Sequence, residues 1–209
     1  MCSLTYQEKR IAYFSKPGPA NTDKVLSMAK ERCLELGLKH VVIASSFGDT
    51  ALRALSYFEG SNMVVVSSRF GFRKPNEKSL SDTAFNRLTE AGSRIVFQTH
   101  LLGAIDRSIY GRFGGITPVR VIAETLRILG EGIKVCVEIA VMAADSGDIP
   151  TNNDVIAIAG SGRGADTAIV LIPANSNNFF DLHIKEIICM PRQPKRLTDP
   201  GLIRSGTLI

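Results

Sequence analysis

His40-Val41-Val42-Ile43-Ala44-Ser45-Ser46-Phe47-Gly48-Asp49-Thr50-Ala51-Leu52 is the stretch that decides the architecture of this chain. Its first five residues form a short β-branched run, suited to a strand buried on both faces. Ser45-Ser46-Phe47-Gly48 then turns the chain, and a helix is expected from about Asp49 to Phe58. A buried strand that passes through a short polar turn into a helix is the building block of a parallel α/β sheet.

The block recurs outward in both directions. Upstream, Asn21 or Thr22 caps a helix that ends at Gly37, with Val25, Met28, Ala29 and Leu36 at helical spacing. Downstream, a strand is expected at Met63–Val66, a helix at Ser81–Ala91 and a third strand at Arg94–Phe97. Residues 100–150 depart from simple alternation. A helix over Leu101–Tyr110 is broken by Gly114-Gly115, and Thr117-Pro118 opens another that reaches Leu129. A further helix runs over Ile133–Ala144. Val155–Ala159 is the fourth strand, and Thr167–Ile172 and Ile184–Met190 are two more. A loop rather than a helix separates the last two, so at least one strand runs antiparallel. The expected fold is one α/β domain over residues 1–190, followed by a basic tail over 191–209. Its mostly parallel sheet is covered on both faces. In such sheets ligands bind beyond the carboxyl ends of the strands, here just after residues 44, 66, 97 and 159.

Composition narrows the function classes. The 209 residues are 44% hydrophobic and 22% charged, an ordinary globular balance. No apolar run is long enough to span a membrane, and the N-terminal stretch lacks the apolar core of a secretion signal. The net charge of +5 suits an anionic partner, yet Lys and Arg are scattered until Pro191-Arg192-Gln193-Pro194-Lys195-Arg196. Scattered cations argue against a nucleic-acid surface, which needs clustered Lys and Arg with exposed aromatics. Cys2, Cys33, Cys136 and Cys189 stand far apart without a Cys-x-x-Cys pair, so no disulfide framework is expected and a reducing cytoplasm fits. His40, His100 and His183 are isolated, and no metal site is expected.

Four segments and one helical carboxylate carry possible chemistry. Ser45, Ser46, Gly48, Asp49 and Thr50 combine hydroxyl donors with backbone amides where a strand passes into a helix, a combination that suits a phosphate. Simple helix capping by Ser46 or Asp49 is the plainer reading. The same residues approximate a Gly-x-Ser-x-Gly nucleophile elbow, with Ala44 in the first position, but the elbow normally follows several earlier strands. Gly160-Ser161-Gly162-Arg163-Gly164-Ala165 matches a dinucleotide fingerprint in letters, with Asp181 downstream, yet it leads into a strand where the fingerprint requires a helix. As a strand-end turn it still brings backbone and the Arg163 charge to a ligand, or it is only a tight turn. Thr99-His100 follows the third strand, and Phe113-Gly114-Gly115 precedes another helix start. His100 and Glu138 are the candidate catalytic groups. Glu138 sits in an apolar helix, either as a buried hydrogen-bond partner or as an acid/base with a raised pKa.

From about Ile11 to Arg192 the chain resembles the stand-alone family of the pyruvate kinase C-terminal α/β domain. The resemblance rests on Tyr13-Phe14, Lys16-Pro17-Gly18, Asn21-Thr22, Gly48-Asp49-Thr50-Ala51-Leu52, Gly71-Phe72-Arg73 and Arg112-Phe113-Gly114-Gly115-Ile116-Thr117-Pro118. Lys134-Val135-Cys136-Val137-Glu138-Ile139-Ala140, Met142-Ala143-Ala144-Asp145 and Gly164-Ala165-Asp166-Thr167-Ala168 complete it. It implies a three-layer α/β/α sandwich and flavin mononucleotide (FMN) as cofactor. The phosphate would sit at Ser45 to Thr50. Ser67-Ser68, Thr99-His100, Phe113 to Gly115 and Gly160 to Gly164 (with Ser161, Gly162 and Arg163 between) would surround the rest. A catalytic (β/α)₈ barrel alone needs about 250 residues, so pyruvate kinase activity is not expected. In the full-length kinase this domain holds an allosteric sugar phosphate, which makes a non-catalytic sensor the alternative to a flavoenzyme. The expected partner is a small phosphorylated molecule, and assembly with further copies of the chain is left open.

Overall fold

A computed structural model describes residues 6–193. Seven strands form one sheet: β1 (Ala12–Phe14), β2 (His40–Ala44), β3 (Asn62–Ser68), β4 (Arg94–Gln98), β5 (Val155–Ala159), β6 (Thr167–Ile172) and β7 (His183–Pro191). Six α-helices accompany them: α1 (Thr22–Leu36), α2 (Asp49–Ala54), α3 (Asp82–Glu90), α4 (Ala104–Phe113), α5 (Pro118–Ile128) and α6 (Glu131–Asp145). The strand order is β1-β7-β6-β5-β2-β3-β4. Strands β5, β2, β3 and β4 are mutually parallel, as are β1 and β7, and β6 runs against both of its neighbours.

The two-residue period of the strands sorts their side chains onto two cores. Val41, Ile43, Val65, Ile156 and Ile158 pack with Val25, Leu26 and Ala29 of α1, Ala51 and Ala54 of α2, and Ala84 and Leu88 of α3. Val42, Val64, Val66, Val155 and Ala157 face the other way onto Ile133, Cys136, Ile139, Ala140 and Ala143 of α6. This is the expected three-layer sandwich, and it explains why β2 and β5 read as unbroken apolar runs.

Local signals set the ends of the helices. The Ser81 and Thr117 hydroxyls accept the amides of Ala84 and Arg120, and Pro118 occupies the first turn of α5. Arg32 of α1 donates through Nε to Glu186 of β7 at 2.7 Å and through a second nitrogen at 2.5 Å, tying helix to sheet in a bidentate pair.

Several boundaries differ from expectation. Helix α2 ends at Ala54 rather than Phe58, because Tyr57 and Phe58 both donate to the Ala54 carbonyl and the chain turns with Phe58 buried. Helix α4 begins at Ala104 rather than Leu101, since the Leu102 amide is taken by the Glu138 carboxylate. Strand β3 continues to Ser68, paired with Gln98, so Ser67 and Ser68 belong to the strand and not to a loop after it. The three-residue β1 escaped the pattern altogether. The basic tail expected over 191–209 begins inside the sheet, where Pro191 pairs with Phe14, and residues 194–209 lie outside the described residues. Cys33, Cys136 and Cys189 are free and buried, and Cys2 also lies outside the described residues. No helix among the described residues is long and apolar enough to cross a membrane.

Candidate functional site

From β2 the chain moves outward to β3 and β4, and then returns through three helices to place β5 on the other side of β2. The connections leaving β2 and β5 therefore diverge. Between them opens a cleft of about 1000 Å³. Its position is the switch point at which open α/β sheets hold ligands. Ser45, Ser46, Phe47, Asp49 and Thr50 line it from β2, Ser67 and Ser68 from β3, and Gly160 to Gly164 from β5.

Each wall has a local cause. The Ser45 amide extends the sheet by donating to the Val66 carbonyl, and the Ser45 hydroxyl accepts the Ala51 amide, so this serine shapes the turn. The Ser67 hydroxyl donates to the Ser46 carbonyl at 3.3 Å. Gly48 holds φ at +98°, and a Cβ there would stand 2.6 Å from Cβ of Ala84 and 2.8 Å from Leu80. Its glycine identity thus serves the approach of α2 to α3, and the residue faces away from the cleft. Asp49 caps nothing; its carboxylate pairs with Arg163 at 3.1 Å across the mouth.

Asp166 secures the glycine turn. It is fully buried, and one carboxylate oxygen accepts the amides of Gly18 at 2.9 Å and Ser161 at 3.1 Å. The other oxygen accepts the Thr167 hydroxyl at 2.9 Å and the Ser161 hydroxyl at 3.4 Å. The Thr22 hydroxyl accepts the Ala165 amide. Residues 16–22 are thereby clamped beneath residues 160–165. The sequence motifs Lys16-Pro17-Gly18 and Gly164-Ala165-Asp166 are two halves of one bracket.

Aromatic rings and arginines close the mouth. Arg73 lies 4.7 Å and Arg163 5.4 Å from the centre of the Phe47 ring, distances typical of cation–π contacts. Phe72 meets His100 edge to face at 5.1 Å. His100 lines the cleft, and burial pushes its pKa down while the nearby Glu138 carboxylate opposes the shift. At neutral pH it presents a neutral imidazole. Glu138 forms the floor. One of its oxygens takes the Leu102 amide at 2.8 Å and the other the Lys134 ammonium at 2.5 Å, with both side chains buried. Of the two readings left open by the sequence, these contacts match the buried hydrogen-bond partner.

The cleft does not gather every residue singled out from sequence. Thr99 is exposed and outside it. Phe113 is 77% exposed at the far end of α4, and Gly114 and Gly115 follow it into solvent. The helix start at Thr117 to which they lead is capped internally, its hydroxyl accepting the Arg120 amide. Conversely, apart from Glu138 the helical wall was not singled out from the sequence. Gly103, Asp106, Arg107 and Tyr110 of the α4 segment, Arg120, Ala123 and Arg127 of α5, and Glu131, Lys134, Val135 and Glu138 of α6 all line the cleft. Their three- and four-residue spacing is a helical stripe.

Among the described residues, two buried side-chain polar atoms have no hydrogen-bond partner: Oγ of Ser68 and Oδ1 of Asp106. Both residues line this cleft. Buried polar atoms are almost always paired, so this pair marks the cleft as the place where polar atoms await a partner.

The fold and site thus define a class: a mixed α/β sandwich with a ligand-sized cleft at its topological switch point. Within that class, residues 23–171 match the family model described as the pyruvate kinase, alpha/beta domain. The match spans more than half of the chain, and the chain belongs to that family.

Proposed function

We propose that this protein binds a small phosphorylated molecule, FMN foremost, across the carboxyl ends of β2, β3 and β5. The observation that carries the reading is the unpartnered Ser68 hydroxyl, 1% exposed, set among the hydroxyls of Ser45, Ser46, Thr50 and Ser67 at the switch point. Helix α2 spans only six residues, so its dipole supplies little. Hydroxyl donors, the backbone of the Gly160–Gly164 turn and the guanidinium of Arg73 would hold the phosphate.

Several features fit a flavin. A cleft of about 1000 Å³ lies at the upper end of the range for small-molecule sites, and it has room for a tricyclic ring. Phe47 and Phe72 offer apolar faces, while Ser68 and the amides of the glycine turn offer hydrogen bonds to the ring edge. Bound flavin would supply electron transfer by one or two electrons. Neutral His100, within the same cleft, is the group placed to take or give a proton. The alternative of a colourless sugar phosphate keeps the same phosphate loop but leaves the aromatic faces without a role.

Titration of the purified chain with FMN, followed by quenching of flavin fluorescence, tests the proposal. One equivalent is expected to bind. Ser46→Ala together with Thr50→Val is expected to weaken affinity about tenfold or more, since each removes a hydrogen bond to a charged group. Unchanged affinity in the double variant would displace the phosphate from this loop. Binding of sugar phosphates with no binding of FMN would leave the sensor as the correct reading.

A further inference from the structure

The cleft of about 1000 Å³ is walled on one side by the strand-end loops and on another by α4 and α5, which bring different residues. We infer that the end walled by α4 and α5 is a second binding site, for a small organic anion that also carries hydroxyl or amino donors. This goes beyond the reading above, which concerns the strand-end loops, and it rests on different side chains.

Among the described residues six cationic side chains line the cleft: Arg73, Arg107, Arg120, Arg127, Lys134 and Arg163. Three are already committed. Lys134 is paired with Glu138, Arg163 with Asp49, and Arg127 with both Glu124 and Glu131. Arg107 and Arg120, at the α4–α5 end, form no ion pair among the described residues. Arg120 rests on the Tyr110 ring at 4.2 Å. Stacking fixes the plane of a guanidinium and leaves its edge free for a two-pronged contact with a carboxylate or phosphate. Arg107 and Tyr110 lie three residues apart on α4, on the side that lines the cleft.

Asp106 adds a demand of its own. It also lines the cleft, one residue before Arg107, and its Oδ1 is buried without a partner. A carboxylate oxygen accepts only, so its missing partner must be a donor. A plain anion would leave that oxygen unpaired and repel it. A hydroxy acid, an amino acid or a hydroxylated phosphate satisfies both demands, with its anionic group on Arg107 and Arg120 and its hydroxyl or amine on Asp106. No residue of helix α4 is fully buried, and its half-buried Asp106 and Tyr110 face the cleft.

Tartrate and succinate form the test pair, because they carry the same charge and differ in their hydroxyls. Calorimetric titration of the full chain, with and without saturating FMN, should show tartrate binding about tenfold or more tighter than succinate, the difference expected of hydrogen bonds to a charged acceptor. Asp106→Asn should shrink that ratio severalfold. Arg120→Met and Arg107→Met should each weaken both anions about tenfold, with thermal melts confirming that the variants fold. Equal affinity for the two anions, no detectable binding of tartrate, or affinities untouched by both arginine variants would each overturn the inference. Binding of tartrate by a chain that never takes up FMN would refute the flavin reading and leave this one standing. Uptake of FMN without tartrate would do the reverse.

Discussion

Removing the carboxylate of Asp166 should both destabilise the fold and loosen the glycine turn of the cleft. In Asp166→Ala four donors lose their acceptor: the amides of Gly18 and Ser161 and the hydroxyls of Ser161 and Thr167. The hydroxyls can rotate to other acceptors, whereas the amides are fixed by the backbone. A buried donor left unpaired costs about 1–3 kcal/mol. Ser161 is buried and pays in full, while Gly18 is half-buried and regains part of its loss from water. The sum is about 2–4 kcal/mol, a large share of the roughly 5–15 kcal/mol that holds a domain together. Asp166→Asn keeps the shape. Its amide oxygen can face the two backbone donors and its NH₂ the two hydroxyls, which turn to accept. Only the charge assistance is lost, at about 1–2 kcal/mol. Urea denaturation of the three proteins, with equal m-values, gives both differences. A loss below about 1 kcal/mol in Asp166→Ala, or equal losses in the two variants, would refute the view that this carboxylate brackets residues 16–22 to the turn.

Other perturbations follow from the same contacts. Gly164→Ala would put a Cβ 2.4 Å from Cα of Pro19, at a φ of +77°. A loss of more than about 2 kcal/mol is expected from overpacking and backbone strain, and a midpoint within error of the parent would contradict the clamp. Arg32→Met removes the bidentate contact to Glu186, which is 30% exposed and partly screened. About 1–3 kcal/mol should be lost in urea, and no loss would show that α1 and β7 are held by packing alone. Burial lowers the pKa of His100, and of His40, below the ordinary 6.5. The unfolded chain therefore binds more protons than the native one below that value, so stability should fall as the pH drops from about 7 toward 5. His100→Gln should flatten part of that dependence, and an unchanged slope would mean that His100 is not held neutral by burial.

Much of the sheet could be read from the chain because β2, β3 and β5 are buried on both faces and therefore apolar along their length. The order of the strands could not. Nothing local to Val155–Ala159 says that it lies beside β2 rather than β4, although that placement creates the switch point. β1 was invisible because three residues carry no period. Ser45, Ser46 and Thr50 were legible as candidates because they sit in a strand-turn-helix segment, and the fold places them on the wall of the cleft. Gly48 shared their motif yet serves helix packing, a distinction that depends on Ala84 and Leu80 some thirty residues away. The helical wall was missed since Asp106, Arg107 and Arg120 look like solvated charges until α4 and α5 are folded over the cleft. Phe113 to Gly115 drew notice through motif and position alone, and tertiary structure carries them to solvent.

The claim on which the functional account rests is that a phosphate lies between the β2–α2 turn and the glycine turn after β5. A crystal structure of the chain grown with FMN locates the phosphorus directly. The account predicts it within hydrogen-bonding reach of the Ser46 and Thr50 hydroxyls and beside the Gly160–Gly164 backbone. A phosphate seated instead among Arg107, Arg120 and Tyr110, or outside the cleft, would contradict it.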